Sequence, residues 1–259
     1  MAFPNLKGKH AEQSMIEPAD FVSYAKKTGR CPAGRPPEGI ILCYSNSLMK
    51  QVLQTHKTKE LEGFGSKLYL LPETKNKIGI AGNFGIGAPV ACVVLEELIA
   101  WGVKRFVTIG TAGTIQKNLD VGDIIVCNRA IRDEGTSHHY LKHTKYAQAS
   151  KEMTSKIEMA LKKLGQKYII GTSWTIDAPY RETVKEARQY QKEGVATVEM
   201  EASALFAVAQ YRKVPIGAIF TISDSLAELE WKPKFHLKKT STGLEISYKI
   251  AKEALTSSP

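Results

Sequence analysis

The sequence predicts an α/β protein built on a buried, largely parallel or mixed sheet with helices on both faces. Three observations carry this reading. Short apolar runs alternate with helical patterns along the chain. The runs Ile40–Tyr44 and Ile216–Ile222 are strongly apolar, as expected of strands covered on both sides. Pro89 and Gly102 bracket the helical pattern ACVVLEELIAWG, with proline in the first turn and glycine past the last.

The elements follow in order. Ile16 to Thr28 is expected to form a short helix, and CPAGRPPEG after it is a turn-rich connector. Ile40–Tyr44 reads as the first buried strand and Leu48 to His56 as a helix. Lys67 to Leu71 and Lys77 to Ala81 read as two strands around the turn Pro72-Glu73-Thr74. The helix opened by Pro89 leads to a strand at Arg105 to Ile109 and another at Asp123 to Cys127. Ser150 to Leu164 is an amphipathic helix, Tyr168 to Trp174 a strand, and Thr183 to Glu193 a polar helix. Val195 to Glu199 is a strand, Ser203 to Tyr211 a helix, Ile216 to Ile222 a strand and Glu245 to Leu255 the closing helix. Residues 1–39 read as a peripheral N-terminal extension and residues 40–259 as a single domain. No internal repeat or low-complexity segment interrupts them.

A chain of 259 residues with 43% apolar residues can bury an ample core. No apolar run approaches the ~20 residues of a membrane span. The stretch MAFPNLKGKHAEQ lacks the apolar core of a secretory signal, so a cytoplasmic protein is expected. Cys31, Cys43, Cys92 and Cys127 are widely spaced and form no C-x-x-C pair, which fits reduced thiols. The net charge of +10 raises nucleic-acid binding as an alternative. The lysines are dispersed, however, and no helix-turn-helix or aromatic-interleaved motif accompanies them. The charge is read as a solvated basic surface that attracts small anions, phosphate included.

The motifs fall where an α/β sheet puts its ligands, beyond the carboxyl ends of strands. Val198-Glu199-Met200-Glu201-Ala202 places two carboxylates and a thioether at a helix start. Carboxylates there gain from the helix dipole, whatever else they do. A carboxylate can also accept two hydrogen bonds from a vicinal diol, while Met offers a soft apolar surface to a sugar face. Asn83 to Pro89 is a glycine loop before a helix, able to hold an anion on bare N–H groups; alone it fits a plain turn as well. Thr108 to Gly113 reads as a second such loop, with the same two readings. Asp224 follows an apolar strand; it suits either a partly desolvated acid or a helix cap. Asp177 to Thr183 joins a strand to a helix. There Tyr180 can stack on a planar base and Arg181 can make a bidentate contact, or the pair can belong to a capped helix start. Arg132 to Tyr140 reads as a surface loop or substrate rim. Its adjacent His138 and His139 would point to opposite sides of an extended chain, and no third residue has metal-ligand spacing. No metal is expected.

Taken together, these stretches resemble the nucleoside phosphorylase superfamily of trimers and hexamers, which holds purine nucleoside phosphorylases, uridine phosphorylases and related nucleosidases. The resemblance covers roughly residues 40 to 255. It rests on Val198-Glu199-Met200-Glu201-Ala202, on Gly85-Ile86-Gly87-Ala88-Pro89, on Gly110-Thr111-Ala112-Gly113 followed by Val121-Gly122-Asp123, and on Ser223-Asp224. It implies a three-layer α/β/α fold around a mixed, barrel-like sheet, with a site near a subunit interface of a homo-oligomer, a hexamer or trimer of dimers.

The resemblance also implies roles. Glu201 binds the ribose 2′- and 3′-hydroxyls, Met200 packs under the ribose and Glu199 neighbours it in the sugar pocket. Val198 lies near the base, with Ala112, Gly113, Tyr180 and Arg181 as further base-side candidates. Asp224 protonates or hydrogen-bonds N7 of the leaving base. Thr111 holds phosphate, with Gly85 of the glycine loop and Lys59 as further candidates; Lys59 stands where some relatives lend a basic residue to a neighbour's site. No organic cofactor is implied, and inorganic phosphate is the co-substrate.

The implied reaction is phosphorolysis of a purine or uridine-type nucleoside to free base and (deoxy)ribose 1-phosphate. Hydrolysis by a nucleosidase of the same superfamily and nucleoside binding without turnover are the alternatives. The chain departs from the family pattern in two places. Cys43-Tyr44-Ser45-Asn46-Ser47-Leu48 replaces an arginine-bearing G-D-P-x-R loop, and Thr108 stands where an arginine is usual. The first of these stretches also lacks the glutamate that nucleosidases use. Ser223-Asp224 points to purines, whereas Arg132 to His139 resembles the corresponding loop of uridine phosphorylases.

Overall fold

The computed structural model describes residue 6 and residues 8–62, 64 and 66–257. The remainder of the expected N-terminal extension, residues 1–5 and 7, lies outside the described residues. The chain runs through α1 (Pro18–Lys27), β1 (Gly39–Cys43), α2 (Asn46–Thr55), β2 (Lys59–Leu61), β3 (Lys67–Leu70), β4 (Ile78–Gly82) and α3 (Ala88–Trp101). It continues through β5 (Arg105–Thr114), β6 (Ile124–Asp133), β7 (Tyr146–Gln148), α4 (Lys151–Lys163), β8 (Ile169–Ile176), α5 (Val184–Lys192) and β9 (Thr197–Glu199). The last elements are α6 (Ala202–Arg212), β10 (Ile216–Ser225), β11 (Lys232–Pro233) and α7 (Lys238–Thr256).

All the strands join one sheet in the order β11-β10-β6-β8-β9-β5-β1-β4-β3-β2, with β7 added on β6. Strand β10 also pairs with β5, so β5, β10, β6, β8 and β9 close into a five-stranded ring. The ring is mixed: β5–β10, β6–β8 and β8–β9 are parallel, while β6–β10 and β5–β9 are antiparallel. Closure leaves these strands without a free edge. From β5 the sheet runs on outward through β1, β4, β3 and β2.

Alternating side chains split the core into two faces. In β1, Ile40 and Leu42 pack with α3 and α6, whereas Ile41 and Cys43 pack with α2, α4 and α7. Every residue of β1 and β4 is buried, which explains why both read as unbroken apolar runs. A third, smaller cluster joins Ile115, Ile131, Trp174, Ile176, Val195 and Val198 beneath Tyr190 of α5. This is the three-layer α/β/α arrangement around a barrel-like sheet that the resemblance implied. Ahead of β1, Glu17 at the start of α1 and Glu96 of α3 share Arg212, at 2.9 and 2.7 Å. The four cysteines are free thiols. Among the described residues, no helix is long and apolar enough to cross a membrane.

Three local expectations are corrected. Thr108 to Gly113 is not a loop: β5 continues through it to Thr114. Gly110 and Gly113 allow close approach instead of turning the chain. A Cβ on Gly110 would stand 3.3 Å from the Tyr44 ring, and one on Gly113 would stand 2.9 Å from the Asp224 carboxylate. Asp224 caps no helix, because β10 runs to Ser225. The pairing of β10 with β5 shifts register between Ile222 and Asp224, a β-bulge of the kind that re-aims a side chain beside a site. Finally, His138 and His139 belong to a 3-10 turn at Thr136–His139. The Arg132 guanidinium is buried and holds that turn through Ser137 and the carbonyls of Leu141 and Lys142.

Candidate active site

Strands β5, β9 and β10 bring their carboxyl ends to one cavity of about 510 Å³. Thr111, Ala112 and Gly113 come from β5, Val198 and Glu199 from β9 with Met200 after it, and Ser223 and Asp224 from β10. The segment before and into α5 supplies Tyr180, Glu182, Thr183, Val184 and Ala187, and the segment after β10 supplies Leu226, Leu229, Trp231 and Phe235. Among the described residues, none that lines the cavity is lysine or arginine. A larger groove of about 1230 Å³ runs between residues 6–21 and α3, but none of the sequence-predicted site residues lines it.

Glu199 ends β9, is 6% exposed, and is saturated with donors. Ser173 and Thr175 of β8 donate hydroxyls to one oxygen at 3.0 and 2.6 Å. The backbone N–H groups of Glu201 and Ala202 donate to the other at 2.8 and 2.7 Å. The carboxyl thereby caps the first turn of α6 and favours its positive end. Burial raises its pKa, opposed by these hydrogen bonds, Thr175 foremost.

Glu201 is handled differently. It is 8% exposed, and its carboxylate accepts the Gly87 N–H of the glycine loop. Burial first, and then the neighbouring Glu199, push it up to about 8. Gly87 has φ of +102° and Gly85 of +93°, a left-handed backbone that suits glycine and that turns the loop into α3. Beside them Tyr44, just past β1, lies edge-on to Phe84 at 5.3 Å and accepts the Thr108 hydroxyl at 3.4 Å. Burial and the nearby Glu201 hold the Tyr44 phenol well above its ordinary range.

Asp224 of β10 lines the same cavity, 7% exposed. Ser223 donates to Oδ1 at 2.7 Å and the Trp231 indole to Oδ2 at 3.0 Å. Trp231 returns to this wall because β11 pairs back on β10, with Pro233 opposite Asp224. Glu182 lines the same cavity; burial, then the charges of Asp224 and Glu186, push it up to about 7.

Of the sequence-predicted residues, Thr111, Ala112, Gly113, Tyr180, Val198, Glu199, Met200 and Asp224 meet at this cavity. Glu201 and Gly85 do not line it; Glu201 follows Met200 in the chain and is tied to the glycine loop at Gly87. Arg181 is exposed and does not line the wall. Lys59 lies on exposed β2, four strands away from Thr111 in the sheet order, so one chain does not bring it to the site. Sequence reasoning missed Glu182, Trp231 and Phe235. Two aromatics in the polar stretch Glu230–Lys239 were the available signal for the latter pair; for Glu182 there was none beyond its nearness to Tyr180.

Residues 40–256 match the family model described as the phosphorylase superfamily, and the chain belongs to that superfamily. Similar proteins include the guanosine phosphorylase of Halorubrum lacusprofundi, 31% identical over 55% of this chain and 59% of that protein. The uridine phosphorylase of Thermococcus kodakarensis is 31% identical over 53% of this chain and 54% of its own length. The DeoD-type 1 purine nucleoside phosphorylase of Shewanella oneidensis is 30% identical over 72% of this chain and 77% of its own. The matched region thus spans a little over half the length of the first two. The crystal structure of the Toxoplasma gondii purine nucleoside phosphorylase in complex with immucillin-H shares the fold, with a TM-score of 0.76 at 22% identity over 85% of this chain and 91% of that one.

Proposed function

We propose that the chain cleaves the N-glycosidic bond of a nucleoside, purine or uridine-type, by phosphorolysis to free base and (deoxy)ribose 1-phosphate. The observation that carries this is one cavity with Asp224 on one wall and Met200 on another, and with Glu201 adjoining behind the glycine loop. The names of the relatives, which include both purine nucleoside and uridine phosphorylases, support the substrate class.

The chemistry follows from charge. Breaking the C–N bond makes the anomeric carbon cationic and the base anionic. Asp224 serves the base side, where a carboxyl that hydrogen-bonds N7 favours departure of a purine. Glu201 serves the sugar side. With its pKa pushed up to about 8, it ionises more fully as positive charge grows beside it. The interaction is therefore stronger in the transition state than in the ground state, which is what accelerates the step. Met200 supplies the apolar floor under the sugar. Glu199, its oxygens committed to the protein, holds Met200 and Glu201 in position. Phosphate is the co-substrate, held by the Thr111 hydroxyl and the glycine loop, and no organic cofactor or metal takes part. Lys59 on its edge strand would serve a neighbouring copy in a homo-oligomer.

One observation favours water as the nucleophile instead: among the described residues, no lysine or arginine lines the cavity. Base release from a nucleoside panel with and without phosphate decides between the two. Release only with phosphate supports phosphorolysis, and phosphate-independent release supports hydrolysis. Tight binding with no release from any nucleoside overturns both.

A further inference from the structure

Among the described residues, Glu182 is the one carboxyl in the cavity wall without a donor. Glu199 takes four hydrogen bonds and Asp224 two. Next to the cavity, Glu186 takes the Thr183 N–H and hydroxyl. Among the described residues, nothing donates to the Glu182 side chain, although it is half-buried. Among the described residues, no lysine or arginine lines the cavity to neutralise it. Its backbone is not loose: it follows the 3-10 turn Pro179–Arg181 and precedes the capping box of Thr183 and Glu186 at the start of α5. An acceptor held in place, partly removed from water and unpaired within the protein has only water or a ligand to supply its donor.

We infer that Glu182 is a specificity-determining residue that reads N–H donors on the base, so that the cavity favours bases carrying an exocyclic amine or a ring imide N–H. This rests on the reading that the base sits in this cavity. Asp224 and Glu182 then divide the work. Asp224 answers the ring nitrogen involved in departure, and Glu182 answers a second edge that takes no part in bond breaking. The rise of Glu182 toward neutrality fits a carboxyl waiting for such a partner.

The test is calorimetric titration of free adenine, hypoxanthine and unsubstituted purine into the wild-type protein, Glu182→Gln and Glu182→Ala. The wild type is expected to bind adenine or hypoxanthine at least about tenfold tighter than purine, the scale of one charge-assisted hydrogen bond. Both substitutions should shrink that ratio to about twofold or less while leaving purine affinity within about twofold. An unchanged ratio, an equal loss on all three bases, or no binding of any base to the wild type would overturn the inference. Parallel kcat/KM values for adenosine, inosine and purine riboside separate this from the proposed activity. Discriminating binding without turnover removes the activity and keeps the role of Glu182. Turnover indifferent to Glu182 does the reverse.

Discussion

The two walls of the cavity treat their carboxyl groups in opposite ways. At the β9 wall, Glu199 has a donor for each direction its oxygens face and is 6% exposed. At the α5 wall, Glu182 has none among the described residues and lies partly open to the cavity. The lesson is that burial and charge alone do not mark a ligand-binding residue. Glu199 belongs to the architecture because its hydrogen bonds are spent on α6 and β8. Glu182 lines the cavity with capacity left over, and Glu201, next in sequence to Met200, accepts the Gly87 N–H of the glycine loop.

The comparison is broken most sharply at Glu199. Removing it in Glu199→Ala strands two hydroxyls and two helix N–H groups, at about 3–5 kcal/mol in all. The melting temperature should fall on the order of 10 °C; a calorimetric scan showing little change would mean that Glu199 is no structural cap. Glu201→Gln should do the opposite. Turnover should drop by on the order of 10²-fold or more, the scale of one lost electrostatic contact to the transition state, while stability rises. The sign follows from linkage. The unfolded chain releases this proton near the ordinary value of 4.5, whereas the folded protein keeps it to about 8. The wild type therefore loses stability as pH rises through that window. The gain in melting temperature from Glu201→Gln should be small at pH 5 and larger at pH 8; a gain independent of pH would contradict the assignment.

Smaller effects sharpen the base side. Asp224→Asn should reduce kcat/KM for purine nucleosides about tenfold or more beyond its effect on uridine, the range of lost general-acid assistance. Equal loss on both would remove the purine role. Trp231→Phe deletes one neutral donor to Asp224 and should shift kcat/KM by about three- to tenfold. Trp231 is also 59% exposed while Trp101 and Trp174 are buried. Base binding should change tryptophan emission in the wild type and leave it nearly unchanged in Trp231→Phe.

Much of this was legible in the sequence. The strand–helix rhythm foretold the sheet with helices on both faces, and Val198 to Ala202 foretold a helix start loaded with carboxylates. What escaped depends on pairing between distant segments. The extension of β5 through Gly110-Thr111-Ala112-Gly113 read as a turn because glycine punctuates chains, yet here glycine makes room for Tyr44 and Asp224. The bulge at Ser223 is set by the register of β10 on β5, which no local pattern encodes. The two- and three-residue strands β2, β7 and β11 exist only through their partners. Trp231 and Phe235 reach the cavity because β11 folds back onto β10, so an exposed polar stretch hid two wall residues. The difference between Glu199 and Glu201 was invisible for the same reason: the donors at Ser173, Thr175 and Gly87 come from elsewhere in the fold.

The most direct test is a crystal structure with a non-cleavable purine nucleoside analogue bound. The account predicts the sugar on Met200, with Glu201 within hydrogen-bond reach of the 2′- and 3′-hydroxyls and the base edge at Asp224. An analogue bound elsewhere, or one seated in the cavity with its sugar turned away from Met200 and Glu201, would contradict it.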